Sequence, residues 1–381
     1  MVVARSPEFA IIAYEGEAGE AVLGWHPARG LDVTKTGQLS VAAPKGLLQQ
    51  ARDFMKFDRR RMLALGAPAL VTPVLIKRAT AADGAARAQA AVDRFARIPA
   101  TASCLVVVDQ PSAPWRAAHD PAARMFVGSA VKTFILAQYL REVEAGRLTE
   151  DQQAKVDDAV RSASSPVFLK LTGTTQARSA LEAMIAHSDN TATDIALAAA
   201  GPAQVRTLIA AAGLKQTQIP ESTRRLFSYI AGAPEGVDIG WDGIVRMENG
   251  GSFGTPRPPL NDKQTMASTA EDMVRWYQQV LRGAFFKKPQ TLVEFKRISA
   301  MADAIAMTVP PDTPAYGKGG SIDWEGFHCL CFAGQMIVSK VPVSFCLTIN
   351  WNGPDDKVAA MMQAYLAGAA EVLAETAQAV G

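Results

Sequence analysis

Arg124-Met-Phe-Val-Gly-Ser-Ala-Val-Lys-Thr-Phe-Ile-Leu136 reads as a short turn running into an apolar helix, and it carries Ser129 and Lys132 three positions apart. Positions three apart share a helix face, so the lysine amine stands beside the serine hydroxyl. A serine hydroxyl is a weak nucleophile until a base takes its proton, and a desolvated lysine with a lowered pKa can be that base. The apolar positions Phe134, Leu136, Ala137, Leu140 and Val143 carry the helix to Ala145, and Gly146 ends it. A helix apolar nearly all round belongs in a core, which would hold hydroxyl and amine rigidly at its amino end. A serine and lysine at this spacing recur by chance in most proteins, so the rest of the chain decides their meaning.

Two further stretches follow in order. Ser188-Asp189-Asn190 lies inside Leu181 to Asp194, and Lys318-Gly319-Gly320-Ser321 opens a run that reads as a strand. With Ser129-Ala-Val-Lys132 they resemble the three signatures of the penicillin-recognising serine hydrolases, above all the class A beta-lactamase-like family. The resemblance covers residues 96 to 381. It implies an α+β fold of the beta-lactamase/transpeptidase type, with an antiparallel sheet flanked by helices and an all-helical lobe across a cleft. It also implies a serine hydrolase working through an acyl-enzyme on a beta-lactam or related amide. Ser129 would be the acylated nucleophile, Lys132 its base, and Ser188 the shuttle that carries the proton to the leaving group. Asn190 would bond the substrate amide or the Lys132 amine. Lys318 would attract an anionic substrate group and, by its charge, help to keep Lys132 neutral. Gly320, Ser321 and Ile322 would form a strand edge holding the acyl amide. The oxyanion donors would be the N–H of Ser129 and that of Ile322 or its neighbour Asp323. Asp189 would turn inward to hold the loop, and His187 reads as structural.

Class A beta-lactamases deacylate with a glutamate on a loop between the second and third motifs, followed within a few residues by an asparagine. Here that loop reads Ile219-Pro-Glu-Ser-Thr-Arg-Arg225, with no such asparagine. Glu221 either activates the deacylating water or pairs with Arg224 or Arg225, the latter four positions on. Residues Phe227 to Pro259 lengthen the chain between the motifs and could reshape the pocket with Tyr229, Trp241 or Phe253. Two other activities stay open: an esterase or amidase of small acyl substrates, and a penicillin-binding protein that acylates but turns over slowly.

Composition narrows the classes further. Among 381 residues, 39 basic and 37 acidic side chains give a formal charge of +2, and no long basic stripe supports nucleic-acid binding. No run of about 18 apolar residues marks a transmembrane helix. His26, His119, His187 and His328 form no H-x-x-x-H or H-x-H pattern. Cys104, Cys329, Cys331 and Cys346 lie in strand-like runs and read as small buried hydrophobes. Neither a metal nor an organic cofactor is expected, and the expected partner is a small ester or amide substrate.

Strands are expected at Ser103–Asp109, Trp115–His119, Gly317–Trp324, Phe327–Val338 and Val343–Trp351, and helices at Ala177–Ala186 and Gln204–Ala212. Thr149 and Ser268 read as helix caps, the second for a helix to Leu281, and residues 355 to 378 as a terminal helix. Residues 1 to 95 read as an accessory region, with a turn and strand over Glu15 to Trp25 and helices at Leu47–Leu63 and Ala82–Phe95. Arg5 is followed by Ser-Pro-Glu-Phe9, which looks like a cloning scar, and the apolar run Ala10 to Ala13 is too short for an export signal. Localisation is cytoplasmic as written, and periplasmic or secreted if such a signal was removed.

Overall fold

Strand β4 (Thr101–Val108) shows how the chain divides its apolar residues. Side chains alternate across a strand, and here Cys104, Val106 and Val108 enter one core while Leu105 enters another. The computed structural model describes residues 2–5, 9–15, 21–27 and 81–381. They fall into two units, residues 1–78 and 79–381. In the first, β1 (Val2–Arg5), β2 (Phe9–Glu15) and β3 (Ala21–Pro27) form an antiparallel sheet in that order. The expected Leu47–Leu63 helix lies outside the described residues.

The larger unit is built on a five-stranded antiparallel sheet. With β5 (Trp115–His119), β10 (Ala315–Trp324), β11 (Phe327–Val338) and β12 (Val341–Asn352), its order is β10-β11-β12-β4-β5. Early strands therefore pair with late ones, Val106 facing Phe345 across β4 and β12. Helices α1 (Ala81–Phe95) and α11 (Val358–Val380) cover one face. Ala88, Ala91, Val92 and Phe95 of α1 meet Met361, Tyr365, Ala369, Val372 and Leu373 of α11 there. The Tyr365 hydroxyl donates to the Leu347 carbonyl at 2.9 Å. Thus α1, assigned by sequence to the accessory region, belongs to the larger unit. Alanines lie on both its sides: Ala88 and Ala91 are buried, whereas Ala86 and Ala90 are exposed.

The other face carries the site. Helix α2 (Lys132–Glu144), entered through a 3-10 turn at Gly128–Val131, runs buried through the second core. Around it stand α3 (Ala177–Ala186), α4 (Asn190–Ala200), α5 (Pro202–Ala211), α6 (Thr223–Ile230), α7 (Gly240–Glu248), α8 (Ala270–Val280), α9 (Pro289–Ser299) and α10 (Asp303–Thr308). Short strand pairs β6 (Met125–Phe126) with β9 (Ala267–Ser268) and β7 (Gln153–Val156) with β8 (Gly173–Gln176) tie the loops down. All four cysteines are free and buried; Cys329, Cys331 and Cys346 share this core, and Cys104 lies in the opposite one. Among the described residues no helix is long and apolar enough to cross a membrane.

Two expected caps behave differently. Thr149 and Gln152 exchange the reciprocal bonds of a capping box, Gln152 N–H to Thr149 Oγ1 at 3.0 Å and Thr149 N–H to Gln152 Oε1 at 3.3 Å. No helix follows, because the chain turns into β7 instead. At α8 the cap is Thr269, whose hydroxyl accepts from Asp272 N–H at 3.0 Å. Ser268 is buried one residue earlier, within hydrogen-bond distance of Thr217.

Trp276 of α8 fixes α2 in this core. Its ring lies 4.7 Å from Phe134 and 5.1 Å from Phe285, and its Nε1–H donates to Thr133 Oγ1 at 3.0 Å. Truncating a buried tryptophan loses its transfer energy and leaves a void. Trp276→Ala should therefore cost about 3–5 kcal/mol of unfolding free energy in a denaturant titration.

Candidate active site

The chain reaches Ser129 through a clamped strand. Asn350 of β12 pairs with Phe126 as another strand would, accepting its N–H and donating to its carbonyl, both at 2.9 Å. Val127 N–H then donates to Met266 O at 2.8 Å. Gly128 turns left-handed at φ +52°, which a side chain resists. Space excludes one as well: a Cβ on Gly128 would lie 2.9 Å from the Ser321 nitrogen and 3.0 Å from its oxygen. Ser129 follows, partly accessible, while residues 125–128 and 130–140 on either side are buried.

Lys132 is wholly buried. Its Nζ donates to the Ser188 carbonyl at 2.6 Å and to Asn190 Oδ1 at 2.8 Å, with Ser188 Oγ at 3.3 Å. A neutral amine has two hydrogens, enough for the two short bonds, and keeps a lone pair to accept a proton. Burial, and then the Lys318 charge, push the Lys132 pKa well below the ordinary lysine value, against the opposing pull of Asp189, Asp194 and Asp303. The environment thus favours the form that can act as a base.

Ser188 also sits left-handed, at φ +58°. Such a backbone costs about 1–3 kcal/mol in a residue with a side chain. It turns both Ser188 oxygens toward the Lys132 amine. Asp189 caps α4 and accepts three N–H bonds, from Ala192 at 2.7 Å, Phe168 at 2.8 Å and Val167 at 2.9 Å. Asn190 is oriented from behind, where its Nδ2 donates to Ala163 O at 2.9 Å. His187 is exposed.

The third motif lies on β10, the sheet edge. Lys318 is buried, and its Nζ donates to Gly319 O at 2.8 Å. Burial depresses its pKa to about 8, with Asp303 pulling the other way. Gly320 lies against the nucleophile turn: a Cβ there would come within 2.0 Å of Val127 O and 2.8 Å of the Ser129 and Ala130 nitrogens. Both Ser321 N and O face Gly128, so residues 319, 321 and 323 direct their polar backbone outward while Ile322 turns its own toward β11. The strand N–H beside Ser129 is therefore that of Ser321. Of the two residues expected to supply the oxyanion donor, Ile322 has the opposite parity and packs its side chain on the core, and Asp323 shares the parity of Ser321 but lies two residues beyond it.

Glu221 is placed elsewhere. Its carboxylate, half exposed, bonds Arg206 of α5 at 2.8 Å. Arg224 is taken by Asp238 at 2.7 and 2.9 Å, and Arg225 by the Gly236 carbonyl. The expected pairing with Arg225 fails because α6 begins after its cap Ser222, so Glu221 precedes the helix and the four-residue spacing does not apply.

A further site-forming acid went unread in the sequence. Asp194 accepts N–H bonds from Thr223 at 2.6 Å and Arg224 at 3.1 Å, fixing the start of α6 beside Asn190. Burial raises its pKa to about 6, opposed by those bonds. Its spacing of four from Asn190, on one helix, was the available signal.

A model of the Beta-lactamase enzyme family matches residues 88–329, and the chain belongs to that family. No curated protein matches it in sequence. Solved structures share the fold. A beta-lactamase from Sphaerobacter thermophilus DSM 20745 is 17% identical with a TM-score of 0.60, covering 78% of this chain and 97% of its own. One from Xanthomonas campestris pv. campestris str. ATCC 33913 is 16% identical with a TM-score of 0.59, covering 80% and 100%. PBP-A is 15% identical with a TM-score of 0.56, covering 76% and 95%.

Two measurements probe the geometry. Gly320→Ala must push β10 from the Ser129 turn, and misplacement of about 1 Å costs roughly 10²-fold in rate. Labelling of Ser129 by a fluorophosphonate should slow by that order, and the melting temperature should fall, because backbone rather than a flexible side chain must give way. Lys318 carries its charge below about pH 8 and loses it above. Capture of a carboxylate-bearing penicillin should weaken as pH rises through that value, whereas capture of an uncharged ester should not.

Proposed function

We propose that the protein is a serine acyl-transfer enzyme that opens a beta-lactam or a related activated amide and releases the acyl group slowly. The observation carrying this reading is the buried Lys132 amine, held by Ser188 and Asn190 beside an accessible Ser129. In acylation Ser129 Oγ attacks the carbonyl carbon and its proton passes to Lys132. The developing oxyanion lies between the N–H groups of Ser129 and Ser321. The C–N bond then breaks, the proton moves through Ser188 Oγ to the departing nitrogen, and an ester on Ser129 remains. Lys318 attracts an anionic group of the substrate.

Hydrolysis of that ester needs a base on a water molecule, and Glu221 is engaged with Arg206 instead. This favours the slow-turnover form over a fast beta-lactamase. Among proteins of the same fold, a PBP-A variant is described as an acyl-enzyme complex with penicillin G.

Intact-protein mass spectrometry after mixing with penicillin G should show one adduct per chain, persisting after excess drug is removed. Ser129→Ala should abolish it, and an adduct on another serine would overturn the assignment. A chromogenic cephalosporin should give a burst of about one equivalent followed by a slow steady rate. Glu221→Gln should leave both phases unchanged and lower stability by no more than about 1 kcal/mol, as exposed ion pairs do.

A further inference from the structure

His328 of β11 is fully buried and both its ring nitrogens face acceptors. Nδ1 lies 2.8 Å from Asp323 Oδ1 on β10, and Nε2 lies 2.9 Å from the Gly353 carbonyl beyond the end of β12. A carbonyl oxygen accepts only, as does an ionised carboxylate, so satisfying both contacts requires both ring N–H groups. That is the imidazolium cation. Its ring stacks on Trp351 with centroids 4.9 Å apart, a surface that favours a cation. The other charge facing it is Asp355, 3.9 Å from Nε2 on the turn before α11. Asp323 and Asp355 are both open to solvent on their outer sides, so the pairing is partly screened.

The cluster sits where β10 needs support. Asp323 follows Ser321 by two residues on the same edge strand, whose outer side has no neighbouring strand among the described residues. Gly353 N–H in turn donates to Gly326 O at 2.9 Å, closing the β10–β11 turn onto the same corner. His328 therefore ties the far end of β10 to the β12 corner, and the Ser321 N–H lies between that tie and Lys318.

We propose that His328, as an imidazolium, is a positioning residue that holds the Ser321 end of β10 against the Ser129 turn; this role rests on the acylation reading above. Burial disfavours the charged ring, but the bonds to Gly353 and Asp323 outweigh it and its pKa lies above the ordinary histidine value. A raised folded-state pKa means that the stabilisation is complete below the ordinary value and is lost as pH rises through the folded one. Above it the neutral ring keeps a single N–H, so one of its two contacts, to Asp323 or to Gly353, loses its hydrogen and the tie opens.

The test uses the full chain with His328→Gln and Asp323→Asn, the second replacing an exposed acid. Long-range 1H–15N NMR of the histidine rings identifies His328 by its loss in His328→Gln. The ring should stay doubly protonated above about pH 6.5, the unperturbed value, and should titrate lower in Asp323→Asn. The rate at which a fluorescent penicillin acylates Ser129 should fall as pH rises through the measured His328 value, and that limb should move with it in Asp323→Asn. A limb belonging to Lys318 would stay in place. His328→Gln should acylate about 10-fold to 100-fold more slowly at the acid end and lack the limb. A neutral ring at pH 6, or wild-type rate and profile in His328→Gln, would overturn the proposal. If neither the penicillin nor a fluorophosphonate marks Ser129 in the wild type, the acylation reading fails and the positioning role with it. A doubly protonated His328 in the same sample would show that the tie itself stands.

Discussion

The approach of β10 to the turn that carries Ser129 is the constraint on which the site depends. Val127 O stands where a Gly320 side chain would begin, and the Ser321 backbone fills the space above Gly128. Two glycines facing each other let an edge strand and a 3-10 turn meet backbone to backbone. One backbone amide from each side can then point into the same small volume. Asn350, which pairs with Phe126, sets the depth of the turn, and the sheet sets the position of β10. Neither partner has to move to present its N–H, and such preorganisation lowers the cost of stabilising developing charge.

Behind this contact, the polar groups are arranged to keep two lysines buried. Lys132 is satisfied by Ser188 and Asn190, which are themselves held by Ala163 O and the start of α4. Lys318 finds one carbonyl, that of Gly319. Burial raises the cost of a charge on either lysine, and the Lys318 charge adds to it at Lys132. Asp189 and Asp194 supply negative charge nearby, yet both carboxylates spend their oxygens on backbone N–H groups, so they organise loops without quenching the amine.

Much of this was legible in the sequence. The order of the three motifs pointed to the fold, and continuous apolar runs marked β4, β11 and β12, whose two faces are both buried. What the sequence concealed has physical causes. Strand parity at Ser321 and Ile322 depends on which neighbour β10 pairs with, a tertiary fact that no local pattern carries. The partner of Glu221 is Arg206, brought close by the packing of α5 rather than by spacing along one helix. Alanines stand on both the buried and the exposed sides of α1, so its inner face and its membership of the larger unit were set by α11. Thr149 and Gln152 formed the local bonds of a helix start without the helix, since those bonds are satisfied within four residues while the helix needs a core to face.

The pairing of β4 with β12 also bears on the order in which the protein is made. Thr101 of one strand meets Asn350 of the other, so the sheet cannot close until nearly all of the intervening chain exists. At ordinary synthesis rates that delay is on the order of tens of seconds, during which β4 has no late partner strand. Ser129 and Lys132 emerge early, β10 late. On the acylation mechanism proposed above, a nascent chain, or one cut short before residue 315, would carry Ser129 without the surface that makes it reactive, and completion of translation would be the step that arms it.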